Sequence, residues 1–114
     1  MYAYNPSPAE TALLWLIGER ESSWNPTAAN PGSSARGIFQ FILSTWQSFG
    51  MLAGVDLTAY PSADKAPQAV QQAVALLLLR EVGPNSSESW QASGPYPTFQ
   101  EAQGMLAAVG IANP

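Results

Sequence analysis

The sequence contains neither cysteine nor histidine among its 114 residues. The absence of cysteine excludes a disulfide framework and a thiol nucleophile, and the absence of histidine excludes a Ser-His-Asp relay. Zinc sites built from cysteine or histidine are excluded as well. We therefore expect no metal and no other cofactor, and any acid–base chemistry has to come from carboxylates.

Charged residues are scarce, and positive charge is the scarcer sign. Charged side chains make up 11% of the chain, with four Lys or Arg against eight Asp or Glu and a net charge of −4. Nucleic acids and anionic membrane surfaces are bound through clusters of positive charge, so we expect neither as a partner. Hydrophobic residues make up 46% of the chain, which predicts a buried core and a single domain over residues 1–114.

Long apolar runs are missing too. The longest one, residues 73–79, ends at Arg80 and is far shorter than the roughly 20 residues that cross a bilayer as a helix. Residues 1–6 lack the basic and apolar regions of a secretory signal. We expect no membrane insertion and no signal peptide in this chain.

Capping residues and apolar spacing predict a mainly α-helical fold with four to five helices and little or no β-sheet. Ser7, Pro8 and Glu10 are typical of a helix start, because Ser caps the helix, Pro suits its first position and Glu reaches back to the cap amide. This helix is predicted to end at Arg20 or Glu21.

Three further helices are predicted along the chain. The second helix is predicted over residues 44–50 and closed by Gly50. The third is predicted to start at Ser62 or Asp64, with Pro67 in its first turn, and to stop near Val82. The last is predicted to start at the capping box of Thr98 and Glu101 and to stop near Gly110. A polar stretch rich in turn-forming residues, 22–36, separates the first two helices. Loops of this length are usually functional.

One carboxylate is placed differently from the other seven. At about 100° per residue, Glu21 falls on the same face of the first helix as Leu13, Leu14 and Ile17, whereas Glu19 falls on the opposite side. Apolar neighbours favour the protonated form of a carboxyl group, which a general acid requires. The alternative is a frayed last turn that points Glu21 to solvent, and periodicity alone favours that alternative.

Four short motifs follow one another in order: Glu21-Ser22, Asn25-Pro26, Gly37-Ile38-Phe39-Gln40 and Thr45-Trp46. Together they resemble the signature of lysozyme-like lytic transglycosylases, a group that includes the small domains of resuscitation-promoting factors and the cell-wall-degrading domains of phage tail proteins. The resemblance covers residues 17–50. It implies a lysozyme-like fold and cleavage of the β-1,4 bond between MurNAc and GlcNAc in peptidoglycan.

The resemblance also assigns site residues. It makes Glu21 the catalytic acid/base, places the amide of Gln40 against the sugar chain, and gives Ser34 and Gly37 a turn that lets the backbone approach the cleft. Larger members carry a later Tyr-Asn motif, which nothing after Glu101 reproduces. The aromatic residues that remain to line a sugar groove are Tyr60, Trp90 and Tyr96.

The mechanism implied by the resemblance needs one carboxylate. Glu21 would protonate the glycosidic oxygen and then take the proton of the muramic acid 6-hydroxyl, which closes on C1 to give a 1,6-anhydro product. Hydrolysis by a lysozyme mechanism usually needs a second carboxylate, for which Glu19 and Asp56 are the candidates. Two non-enzymatic interpretations also stand: a catalytically inactive peptidoglycan-binding or structural module, and a helical adaptor that buries its aromatic residues against a partner.

Several polar and aromatic residues have competing interpretations. Trp24, Phe39 and Trp46 are predicted to be core residues rather than sugar platforms. The amide of Gln40 has to be satisfied by a ligand, which the motif favours, or by the backbone of its own loop. Arg36 could pair with Glu19 or Glu21, could contact a carboxylate of a peptide stem, or could be solvated.

The charge balance also bears on location. Peptidoglycan carries anionic stem peptides, so a chain of net charge −4 gains no attraction to it. Together with the expected lack of a signal, this predicts that a larger phage tail or secretion assembly carries the domain. The predicted location is therefore a virion or the bacterial cell envelope.

Overall fold

A computed structural model of the protein describes residues 1–108. It contains four α-helices and two short 3₁₀ turns. The helices are α1 (Pro8–Ser22), α2 (Leu43–Ala53), α3 (Gln68–Val82) and α4 (Phe99–Ala108), and the 3₁₀ turns are Ala63–Lys65 and Gln91–Ser93. Within these residues there is no strand, and the only β-type pairing is two isolated antiparallel bridges, Ala29 with Arg36 and Arg36 with Phe41. The mainly helical prediction is confirmed.

Two helices begin with the capping boxes that the sequence predicts. At α1 the Ser7 hydroxyl accepts from the Glu10 amide at 3.1 Å, and the Glu10 carboxylate accepts from the Ser7 amide at 2.9 Å. At α4 the corresponding distances between Thr98 and Glu101 are 3.2 and 3.4 Å. The stop predicted near Gly110 lies outside the described residues.

The predicted end of α2 is wrong. The helix continues through Gly50, which is buried inside it, and ends at Ala53. Gly54 follows with a φ of 83°, and its amide donates back to the carbonyls of Gly50 and Met51. A glycine in the left-handed region is what terminates a helix, so Gly54 rather than Gly50 closes α2.

The predicted start of α3 is also wrong. Ser62 and Asp64 belong to the short 3₁₀ region before the helix, where the Ser62 hydroxyl donates to the Asp64 carboxylate at 2.5 Å. Pro67 occupies the cap position itself, and no side chain caps α3. Proline disfavours helical backbone in the residue before it, and Ala66 is extended, with φ −91° and ψ 148°, which explains the later start.

The core lies where α1 and α2 pack against α3, with α4 packed on α1. Trp46 and Phe39 are fully buried, as predicted, whereas Trp24 is only partly buried at the edge. The largest fully buried apolar side chains are Trp46, Phe39, Leu13, Leu14, Ile17, Ile38, Leu76, Leu78 and Val74. Among the described helices, none is both long and apolar enough to cross a membrane.

Candidate active site

Glu21 lies in the last turn of α1, one residue before the helix ends. Ile17, one turn earlier on the same face, is fully buried, and Glu21 itself is half-buried. Glu19 is exposed. The helix therefore gives these two carboxylates the different environments that its periodicity predicts.

Both oxygens of the Glu21 carboxylate accept a hydrogen bond from the segment that connects α3 to α4. The Tyr96 hydroxyl donates to Oε2 at 2.6 Å, and the Ser93 hydroxyl donates to Oε1 at 3.2 Å. Burial, followed by the hydrogen bond and the charge of Glu21, raises the pKa of Tyr96 well above its ordinary value. The phenol therefore keeps its proton and acts as a donor to the carboxylate.

The surroundings of Tyr96 fix its position. The Asn85 side chain accepts from the Tyr96 amide at 2.7 Å and donates to the Tyr96 carbonyl at 3.0 Å. The Arg20 guanidinium lies 4.5 Å from the centre of the Tyr96 ring and donates to the Pro95 carbonyl at 3.2 Å. Arg20 and Glu21, which are neighbours in sequence, thus contact the same tyrosine from two sides.

The residues that follow Glu21 attach the next loop to the end of α1. The Ser22 hydroxyl donates to the Ile38 carbonyl at 2.6 Å and accepts from the Asn25 amide at 3.1 Å. The indole nitrogen of Trp24 donates to the Trp15 carbonyl at 3.1 Å. These contacts attach the loop to the end of the helix that carries Glu21. They explain physically why Ser22 and Asn25 stand at these positions of the motifs.

Gln71 is a structural residue that the sequence motifs did not reveal. It is fully buried in α3, where its Oε1 accepts from the Ile38 amide at 2.8 Å and its Nε2 donates to the carbonyls of Pro26 and Ala66, each at 3.0 Å. The signal was present: Gln71 stands three residues before buried Val74 on the apolar face of the helix. One amide thereby holds both ends of the loop.

Gly37 approaches this amide closely. Its φ is 81°, and a Cβ at this position would collide with Oε1 of Gln71. Its own amide donates to the Ala28 carbonyl at 2.8 Å. The glycine is required here by both conformation and space.

The Gln40 amide nitrogen is satisfied by its own loop. Nε2 donates to the Gly37 carbonyl at 2.9 Å and to the Ala28 carbonyl at 3.4 Å, and the Gln40 backbone has a φ of 51°. The sequence left a ligand or the loop backbone as the partner of this nitrogen, and the structure shows the loop backbone.

Ser34 contacts the start of α2, although the two are nine residues apart in sequence. Its hydroxyl accepts from the amide of Leu43, the first residue of that helix, at 3.0 Å. The cap residue Ile42 has no side chain able to do so. Ser34 therefore supplies the capping contact that the helix lacks locally.

The three candidate aromatic residues have separate surroundings. Tyr96 contacts Glu21, as described above. Trp90 is 4% exposed, with its ring against Phe39 and its indole nitrogen donating to the Phe39 carbonyl at 2.8 Å. Tyr60 is half-buried, and its carbonyl accepts from the Trp46 indole at 2.9 Å.

A groove of about 300 Å³ opens beside Trp90 and Gln40. Its walls are formed by residues 40–42, by Thr45 at the start of α2, and by Ser87 and residues 89–92. Residue 92 directly precedes Ser93, the donor to Oε1 of Glu21. The residues that line the groove do not include Glu21, Ser93 or Tyr96.

Arg36 is engaged within its own loop. Its Nη1 donates to the carbonyls of Ala35, Ser33 and Asn30 at 2.8, 3.0 and 3.3 Å. Neither Glu19 nor Glu21 is among these acceptors, so the structure does not show the pairing of Arg36 with either carboxylate.

Residues 9–93 match the model of a family described as a transglycosylase-like domain. The chain belongs to this family. The matched part of the transglycosylase-like domain includes Glu21 and Ser93 and ends three residues before Tyr96.

Three curated relatives of this transglycosylase-like domain carry the name probable transglycosylase SceD. The SceD 2 protein of Staphylococcus saprophyticus is 42% identical over 69 residues, which is 60% of this chain and 26% of the relative. The Staphylococcus haemolyticus protein is 40% identical, covering 61% and 28%, and the Staphylococcus aureus protein is 41% identical, covering 63% and 29%. The chain thus spans little more than a quarter of these relatives. No solved structure gives a significant match.

Proposed function

We propose that the chain is a peptidoglycan lytic transglycosylase domain in which Glu21 is the single catalytic acid and base. The observation that carries this proposal is the Glu21 carboxylate, half-buried at the end of α1 with a hydroxyl donor on each oxygen. The family supports transglycosylase chemistry.

The surroundings of other carboxylates support a single-acid mechanism. Asp56 accepts from the amides of Thr58 and Ala59 at 3.1 and 3.2 Å, which gives it a turn-forming role. Glu19, the other candidate, is exposed on α1, away from the apolar face of the helix that carries Glu21. A hydrolytic mechanism would require one of these two carboxylates to act as a second catalytic group opposite Glu21.

The proposed reaction keeps atoms and charges in balance. Protonated Glu21 donates its proton to the glycosidic oxygen while the bond from that oxygen to C1 of MurNAc breaks, and the bonding electrons go to the oxygen. The 6-hydroxyl of the same sugar then forms a bond to C1 and gives its proton to the Glu21 carboxylate. The hydroxyl is already held near C1 by the ring, which replaces an external nucleophile.

The sugar chain is proposed to lie in the groove beside Gln40 and Trp90. Ser34 and Gly37 hold the loop whose residues 40–42 line the groove. We propose Tyr60 as a further sugar contact. None of the described residues that line the groove is charged, which suits a largely neutral glycan better than a phosphate backbone.

The proposed site of action is the bacterial cell wall, reached as part of a phage tail or a secretion assembly. A net charge of −4 gives no long-range attraction to anionic stem peptides. Delivery by an assembly would replace that attraction.

Digestion of purified cell-wall sacculi tests the role of Glu21. We expect Glu21→Gln to lower the rate of fragment release by about 10²- to 10⁴-fold, the contribution of a general acid and base. Glu19→Gln is the matched control, because it makes the same change on an exposed position of the same helix, and we expect it to retain the wild-type rate. Full activity of Glu21→Gln would refute the assignment.

A further inference from the structure

The two oxygens of Glu21 have unequal partners. Tyr96 donates to Oε2 at 2.6 Å, and Ser93 donates to Oε1 at 3.2 Å. A glycosidic oxygen has to come within hydrogen-bond distance of one of these oxygens to receive a proton. Each carboxylate oxygen has about two acceptor sites, so the sugar reaches more easily the oxygen whose present partner is held less firmly.

Tyr96 is the partner that is held firmly. Its side chain is 4% exposed, both of its backbone polar groups are bonded to Asn85, and the Arg20 guanidinium covers its ring. Moving its hydroxyl away would leave the phenol without its hydrogen-bond partner, which costs about 1–3 kcal/mol for a buried group.

Ser93 is the partner that can leave. The residue is exposed, and its hydrogen bond to Glu21 is the longer of the two. A serine hydroxyl at the surface rotates about a single bond and finds water as an alternative partner. Its displacement by an incoming sugar oxygen costs little.

We propose that Oε1 of Glu21 exchanges the proton with the substrate, while Tyr96 is a positioning residue that holds Oε2 throughout the reaction. Ser93 occupies Oε1 only while the sugar is absent. This inference rests on the proposed catalytic role of Glu21. The single-acid mechanism alone does not say which carboxylate oxygen exchanges the proton. The inference assigns that exchange to Oε1 and the bond from Tyr96 to Oε2.

The assignment is consistent with both protonation states of Glu21. In the acid form the proton is on Oε1, and Oε2 is a carbonyl oxygen that still accepts from Tyr96. After the proton moves to the glycosidic oxygen, the ionised carboxylate keeps the same bond to Tyr96. Oε1 then accepts the proton of the 6-hydroxyl, so Tyr96 need not move between the two steps.

Steady-state kinetics on soluble, uncross-linked strands of alternating GlcNAc and MurNAc test the inference. We expect Tyr96→Phe to lower kcat by about 10- to 100-fold through misplacement of the carboxyl group, with KM within about twofold of the wild type. We expect Ser93→Ala to raise kcat/KM by about 2- to 10-fold, because the substrate no longer displaces a hydrogen bond.

Tyr4→Phe is the matched control, since it removes a phenol hydroxyl from the N-terminal segment before α1. A kcat for Tyr96→Phe within about twofold of the wild type would overturn the inference. So would a fall in kcat/KM for Ser93→Ala, which remains informative even if Tyr96→Phe fails to fold. Loss of activity in Glu21→Gln combined with either result would overturn this inference alone, whereas an active Glu21→Gln would overturn the proposed function.

Discussion

At the residue scale, the roles of the polar side chains follow from their partners. Glu21 accepts hydrogen bonds from two hydroxyls of a segment distant in sequence. The side-chain amide of Gln71 instead makes hydrogen bonds to three backbone groups that would otherwise be unpaired. Both residues stand on the apolar face of a helix. One is half-buried and faces the connecting segment, whereas the other is fully buried and holds the loop in place.

Replacement of Gln71 by Leu should destabilise the protein. The change keeps the size of the side chain but leaves the Ile38 amide and the carbonyls of Pro26 and Ala66 without their partner. We expect a loss of about 3 kcal/mol in the free energy of unfolding, measured by urea denaturation.

Gln68→Leu is the control for that measurement, because it makes the same substitution at an exposed position of α3. We expect it to change the free energy of unfolding by less than about 0.5 kcal/mol. Equal effects of the two variants would show that the buried amide contributes nothing specific.

At the scale of single elements, the sequence predicts contacts between residues close in the chain and misses contacts between residues far apart in it. The capping boxes of α1 and α4 involve residues three apart, so the sequence predicts both starts. The amide at the start of α2 is satisfied by Ser34, nine residues away. No local pattern contains that contact, which is why the sequence motifs assign Ser34 to the cleft turn alone.

Ser34→Ala should therefore weaken α2. Loss of a capping hydroxyl costs about 1 kcal/mol in the free energy of unfolding, and thermal or urea unfolding measures it. Ser44→Ala, at an exposed position inside the same helix, is the control and should leave the stability close to that of the wild type. A stability loss as large in Ser44→Ala would contradict the capping role of Ser34.

The candidate site divides in the same way. The helix period places Glu21 and Glu19 on different faces of α1, because this relation lies within one element, and the motifs add the role of Glu21. The hydrogen bond from Tyr96 joins residues 75 apart in sequence. Only the packing of α4 on α1 brings that segment back to the carboxylate, so the sequence leaves Tyr96 among several aromatic residues without a distinct role.

At the scale of the whole molecule, Arg80 joins three parts of the chain. From α3 it donates to Glu10 of α1 at 2.7 and 2.9 Å and to the Tyr2 hydroxyl at 3.0 Å. It also donates to the side chain and carbonyl of Asn5. This network attaches the N-terminal segment to two helices and gives the fold a defined dependence on pH.

Glu10 sets that pH dependence. Its hydrogen bonds to Arg80 lower its pKa from 4.5 to about 2. A carboxyl whose pKa is lowered in the folded state stabilises the fold above its unfolded pKa, and this contribution is lost as the pH falls from about 4.5 towards 2. We expect the wild type to be more stable than Glu10→Gln at pH 6, with the difference shrinking steadily over that range.

Urea denaturation at several pH values measures this difference, with Glu88→Gln, an exposed position, as the control. The Arg80 side chain is partly exposed, so solvent screens the pair and we expect a difference of about 1 kcal/mol at pH 6. A difference that stays constant from pH 6 to about pH 2 would contradict the role of the charge.

The most direct test of the central claim is the mass of the fragments released from purified sacculi by the wild-type protein. Closure of the 6-hydroxyl on C1 yields muropeptides with 1,6-anhydro ends, each lighter by one water molecule than the corresponding product of hydrolysis. We predict anhydro ends in the wild-type digest and no release above background with Glu21→Gln. Fragments that carry only reducing ends would contradict the single-carboxylate mechanism and indicate hydrolysis instead.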